Sequence, residues 1–118
     1  MSTPVLIQHR KSAQGELLQQ IIRKYTRRDV FLVSESAELY EVTGHQNYFA
    51  VYFEPDFDFE KQLNWLKKYP GLTVAVVNRK VESEQLKSLI DAGIDDYIYK
   101  PYQPERICRQ LKNREKFK

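Results

Sequence analysis

The chain has 118 residues and a net charge of +3, with 42% hydrophobic, 13% aromatic and 30% charged residues. This length suits one compact domain burying roughly two-thirds of its extended-chain surface, and no apolar run approaches the ~20 residues of a membrane span. A single cysteine, Cys108, excludes an internal disulfide framework and leaves too few thiols for a zinc site.

Met1-Ser2-Thr3-Pro4 leads directly into Val5-Leu6-Ile7 without the n-region and long h-region of a signal peptide, which points to a cytoplasmic protein. Val5-Leu6-Ile7 is a short apolar run suited to a buried parallel strand. Ser12 is placed to cap a helix carrying Leu17, Leu18, Ile21, Ile22 and Tyr25 on one face. Val30-Phe31-Leu32-Val33 reads as a second strand, and Ser34 or Ser36 opens a short helix to about Val42. Residues 48–53 form the third and most β-prone strand. The third helix carries Phe59, Leu63 and Leu66 on one stripe and stops before the breaker pair Pro70-Gly71. Residues 73–77 give a fourth strand. A fourth helix turns Leu86, Leu89 and Ile90 inward and ends at Gly93, where a left-handed residue costs glycine little. Tyr97-Ile98-Tyr99 is the fifth strand, and Pro104 begins a last helix with Ile107, Cys108 and Leu111 facing in.

Near-continuous apolar strands alternating with amphipathic helices predict an α/β, doubly wound, five-stranded parallel sheet with helices on both faces. The chain reads as a single domain over residues 1–118. The C-terminal ends of strands one, three, four and five should surround one crevice, the usual ligand position in such sheets. A flavin or nucleotide would need a glycine- or hydroxyl-rich phosphate loop after the first strand. The loop there is Gln8-His9-Arg10-Lys11-Ser12, so no cofactor is expected. From Pro104 onward six basic residues face two acidic ones. A basic last helix, about 104–118, can be a nucleic-acid footprint; the plainer reading is a solvated helix face, and nucleic-acid binding by this domain alone is not expected.

The run Asp91-Ala92-Gly93-Ile94-Asp95-Asp96-Tyr97-Ile98-Tyr99-Lys100-Pro101 resembles the end of the receiver domain of two-component response regulators. The resemblance covers nearly the whole chain by element order and is specific at the residue level from Asp91 to Pro104. It implies that Lys100 is the lysine that reaches an aspartyl phosphate, and that Tyr97 is the aromatic that reports phosphorylation. It also implies a Mg²⁺-binding acid pair after the first strand and a phosphoacceptor Asp at the end of the third, because a hard cation needs carboxylate oxygens. Here the acid pair falls on Gln8 and His9, neither of which supplies an anion. His9 lacks companions at ligand spacing, so no metal site is expected.

The phosphoacceptor position falls on Glu54. One reading pairs Glu54 with Lys100 across the crevice, locking the domain in one state; the other leaves Glu54 pointing to water at a strand end. Asp56 and Asp58 are the candidates for a displaced phosphoacceptor, although an Asp before a helix is more simply an N-cap. The switch hydroxyl aligns with Asn78, followed by the basic Arg79 and Lys80. The resemblance thus implies a degenerate receiver with no catalytic residue.

What remains is a surface. The face of helix four, strand five and helix five, through which the family docks partners and dimerises, offers Lys87, Asp96, Tyr97, Tyr99, Arg106 and Arg109, with Tyr and Arg enriched at hot spots. In the DNA-binding members an acid on helix five meets a base on helix four. The matching positions, Arg106 and Leu86, do not support that dimer, although self-association by another geometry stays open. Trp65 lies off its helix stripe and is either an interface anchor or a residue packed on a neighbouring helix. Three function classes follow: a phosphorylation-independent pseudo-receiver acting through protein partners in signalling or transcription, an atypical phosphoreceiver using Asp56 or Asp58, and, more weakly, a nucleic-acid contact through the last helix.

Overall fold

A computed structural model describes residues 3–55, 58–77 and 83–116. Its elements alternate strictly: β1 Val5–Gln8, α1 Ser12–Tyr25, β2 Val30–Val33, α2 Ser36–His45, β3 Ala50–Phe53, α3 Phe59–Lys68, β4 Leu72–Val77, α4 Ser83–Ala92, β5 Asp96–Tyr99 and α5 Pro104–Lys116. The strands form one sheet in the order β2-β1-β3-β4-β5, every neighbouring pair parallel. The doubly wound architecture expected from the alternation is the one observed, with the flavodoxin-like strand order.

Because side chains alternate across a strand, each buried strand feeds two cores. Val5, Ile7, Tyr52, Val74, Val76 and Ile98 pack with Leu18 and Ile22 of α1 and Ile107 and Leu111 of α5. On the other face Leu6, Val51, Phe53, Ala75 and Val77 pack with Leu39 of α2, Leu66 of α3 and Leu89 of α4. Register then brings the C-terminal ends of β1, β3, β4 and β5 to one edge, since Ile7 pairs with Tyr52, Phe53 with Ala75 and Val77 with Tyr99.

Several local expectations are corrected. Ser12 is the first helical residue; Lys11 holds the N-cap position and makes no side-chain capping bond. Leu17 and Tyr25 are exposed, because the buried residues of α1 are Gly15, Leu18 and Ile22 and the neighbouring positions rotate off that line. A capping box between Glu35 and Glu38 starts α2, which runs past Val42 to His45. Tyr48 and Phe49 are buried but precede β3; the Phe49 N–H donates to the Pro4 carbonyl at 2.7 Å instead of joining the ladder. Ile90 of α4 faces outward and Cys108 is only partly buried. Gly93 has φ +111 and ends α4 with its N–H on the Ile90 carbonyl, the left-handed cap anticipated for it.

Gly15 decides how closely α1 sits on the sheet. A Cβ there would lie 2.8 Å from Leu32 Cδ1 and 3.2 Å from His9 Cβ. The missing side chain lets α1 approach the ends of β1 and β2, and His9 is sealed beneath it at 1% exposure.

Candidate functional site

Glu54 is the hub of the crevice edge. The Gln8 side chain is wholly buried and bridges two strand ends: Nε2 donates to the Ser34 carbonyl and Oε1 accepts the Glu54 N–H, both at 2.9 Å. Gln62 of α3, also fully buried, donates Nε2 to the Glu54 carbonyl at 2.8 Å. The carboxylate turns inward, with its side chain 15% exposed. Oε1 accepts the Arg10 N–H at 2.6 Å and lies 3.4 Å from His9 Nδ1; Oε2 lies 3.5 Å from Lys100 Nζ. Of the two arrangements open to Glu54 from sequence, the inward pair with Lys100 is the one present.

His9 sits between opposing groups. Its Nδ1 accepts the Lys11 N–H at 3.1 Å, which places the ring proton on Nε2, an atom that is buried and meets no partner among the described residues. Burial pushes the His9 pKa below its ordinary value; the Glu54 charge works against this, while Lys100, Lys11 and Arg10 add to it. Tyr102 follows the Lys100–Pro101 peptide, its hydroxyl buried and its pKa pushed up to about 12 by burial and by the Glu54 charge.

Mg²⁺ does not fit this donor set. A hard cation takes several anionic oxygens, but Gln8 is engaged at both ends of its amide, His9 offers only a nitrogen already facing an N–H, and Glu54 is flanked by cations and an amide. Among the described residues no group of three or more His, Cys, Asp or Glu side chains could hold a metal. Asp58 is the N-cap of α3, its carboxylate accepting the Lys61 N–H at 3.2 Å, so its oxygen satisfies the helix start. Asp56 and Asn78 lie outside the described residues.

A second polar network holds the other end of β5. Asp96 Oδ1 accepts from Arg106 Nη2 at 2.9 Å and from the Tyr97 N–H at 2.8 Å, and Oδ2 accepts from Gln110 Nε2 at 2.8 Å. Gln110 in turn accepts the buried Tyr52 hydroxyl at 3.1 Å. Burial would raise the Asp96 pKa, but the hydrogen bonds from Gln110, Tyr97 and Arg106 outweigh it and hold the carboxyl below the ordinary range. Asp96 and Arg106 therefore meet each other, with their side chains still 36% and 37% exposed. The Arg106 guanidinium also lies 5.0 Å from the Tyr97 ring centre, and Tyr97 packs edge-on to Tyr99. Lys87, Tyr99 and Arg109 remain exposed on this face, joined by the outward Ile90.

Trp65 is not a free anchor. It stacks on Tyr69, meets Phe53 edge-on and Tyr40 at a tilt, and its indole N–H donates to Thr43 Oγ1 of α2 at 2.9 Å. Sequence reading missed Gln62 and the Arg10 amide. Gln62 was detectable: it is polar and lies three residues after the inward Phe59, on the buried stripe of its helix. The Arg10 amide carries no side-chain signal.

No protein-family model matches the chain. The transcriptional regulatory protein SrrA of Staphylococcus aureus is 23% identical over 101 residues, a match covering 80% of this chain and 42% of SrrA. The chain thus spans less than half the length of that curated relative. Among solved structures, the signal receiver domain of the DNA-binding response regulator MerR from Colwellia psychrerythraea superposes with a TM-score of 0.84 at 10% identity, covering 98% of this chain and 99% of that one. The receiver domain of the sensor histidine kinase PA1611 from Pseudomonas aeruginosa, which has a magnesium ion coordinated in its active-site cleft, superposes with a TM-score of 0.78 at 14% identity, covering 96% and 97%. The fold is that of a receiver domain.

Proposed function

We propose that this chain is a phosphorylation-independent receiver-type domain, a cytoplasmic signalling module that acts through protein contacts and catalyses no reaction. One observation carries the reading: Glu54, at the phosphoacceptor position, is engaged on every polar atom. Gln8 holds its N–H, Gln62 its carbonyl, Arg10 and Lys100 its carboxylate oxygens. The hydrogen bonds that a metal and a phosphoryl group would make in a working receiver are here made internally. The similarity to SrrA supports a place in a regulatory pathway. The exposed Lys87, Ile90, Tyr99 and Arg109 on α4, β5 and α5 are the residues we assign to partner docking, with a second copy of the chain as one such partner.

Incubation with acetyl phosphate and Mg²⁺, followed by intact mass, tests the reading. No mass gain is expected, and no change in amide spectra with beryllofluoride. Gain of one phosphoryl group, abolished by changing Glu54, Asp56 or Asp58, would mean an atypical phosphoreceiver instead.

A further inference from the structure

His9 stands where the crevice has one atom and two claims on it. Nδ1 accepts the Lys11 N–H at 3.1 Å and faces Glu54 Oε1 at 3.4 Å. With Nδ1 bare, the first contact is a hydrogen bond and the second brings two lone pairs together. With Nδ1 protonated the roles exchange, since a donor cannot accept the Lys11 N–H but can donate to the carboxylate. The ring has no freedom to satisfy both by moving. It is 1% exposed, and Gly15 of α1 sits against its Cβ.

We propose that protonation of His9 is the input to this crevice: the imidazolium releases the Lys11 amide, donates to Glu54 and loosens the Glu54–Lys100 pair, so that the loop between β1 and α1 and the end of β5 respond to pH where a working receiver responds to phosphate. The proposal rests on the phosphorylation-independent reading and names the regulation of the same site. Loss of the Lys11 amide bond acts on the N-cap residue of α1, which has no side-chain cap to hold it in place. Movement of Glu54 toward His9 acts on Lys100, the residue directly after β5, whose Tyr99 is on the exposed face. A proton taken up at the crevice thereby reaches the docking surface by way of His9, Glu54, Lys100 and Tyr99 in turn.

The charged groups that face His9 set the direction. Glu54 at the end of β3 favours the imidazolium; Lys100 after β5 and Arg10 and Lys11 in its own loop oppose it, and burial opposes it most. Burial and the three cations keep the ring neutral at neutral pH and place the switch on the acid side of an ordinary histidine.

The test is a pH series on the whole chain, read by ¹⁵N spectra of the imidazole and of the backbone amides. Nε2 should carry the ring proton at alkaline pH. The amides of Arg10, Lys11, Glu54 and Lys100 should shift together with the His9 ring, at a midpoint below that of an ordinary histidine. Lys100→Met should raise the midpoint and Glu54→Gln should lower it. His9→Gln should abolish the amide transition while leaving the dispersed spectrum of a folded domain. A ring proton on Nδ1 at alkaline pH, amides that stay still while the ring titrates, or cooperative unfolding in place of a local shift would each overturn the proposal. Mass analysis of the same sample after acetyl phosphate separates the two readings. Phosphoryl gain removes the reading beneath the proposal, whereas a silent His9 in a chain that takes no phosphate removes the proton input alone.

Discussion

The fifth strand begins and ends in an ion pair, and the two pairs differ in what they hold. At its start Asp96 meets Arg106 at 2.9 Å, with Gln110 and the Tyr97 amide completing the carboxylate and Tyr52 extending the network into the core. At its end Lys100 meets Glu54 at a looser 3.5 Å, and Glu54 is shared with the Arg10 amide and His9. The first network ties α5 to the sheet. The second joins three strand ends and a loop that in a receiver fold carry the chemistry. Tight geometry marks the tie, whereas divided loyalty marks the site that can change state.

The comparison breaks most severely at Gln8. Its amide is the only side chain among the described residues seen to join the Ser34 carbonyl to the Glu54 N–H. Gln8→Leu leaves the partly buried Glu54 N–H without its partner and frees the carbonyl of the exposed Ser34 to water, which should cost about 1–3 kcal/mol in a denaturant midpoint measurement. A change under ~0.5 kcal/mol would show that the crevice relaxes and that Glu54 is not held from behind.

A sharper cut separates the two carboxylates. Glu54→Gln and Lys100→Met should each cost about 1–2 kcal/mol, with the double mutant about 0.5–1.5 kcal/mol less harmful than the sum, because removing one partner strands the other charge at a partly buried position. Strict additivity would reduce Lys100 to a bystander. The Asp96 network should instead show itself through acid. The Asp96 carboxyl has a lower pKa folded than unfolded, so its contribution is fully present above 3.8 and is lost as pH falls through the folded value. Asp96→Asn should flatten that limb of the stability profile and leave the Glu54–Lys100 cycle unchanged. An unchanged acid limb would mean that the hydrogen bonds to Asp96 do not favour its charged form.

How much of this was legible in the sequence follows from where each signal comes from. Strand and helix order was readable because apolar runs of four to six residues and stripes at helical spacing are dictated by burial itself. Gly93 was readable because a left-handed cap demands glycine. Leu17, Tyr25 and Ile90 misled because adjacent apolar residues on a helix cannot all face one sheet, and pattern alone does not say which one turns away. Alignment to a family placed Gln8, His9 and Glu54 at the right strand ends. It could not say that Glu54 would turn inward, since that depends on the Arg10 amide and on Gln62, one a backbone group and the other donated by a different element. Asp96 and Arg106, ten residues apart, read as two open surface charges and fold into one pair.

The smallest effect on stability belongs to the exposed face, and there the contrast between tie and surface is cleanest. Tyr99 is 39% exposed and packs edge-on against Tyr97. Arg109 is exposed one turn from the Arg106 that serves Asp96. Substitutions away from buried polar networks usually fall within about 0.5 kcal/mol, so Tyr99→Ala and Arg109→Glu should leave the denaturant midpoint nearly unmoved. The same changes should weaken association at this face, since truncating an exposed aromatic anchor at an interface centre commonly costs about 2 kcal/mol of binding. Sedimentation of the chain at rising concentration reads self-association directly, and Arg106→Ala provides the contrast by disturbing the Asp96 tie beneath the surface. If Tyr99→Ala lowers stability as much as Arg106→Ala, Tyr99 covers the strand edge as part of the fold, and docking must be sought on another face.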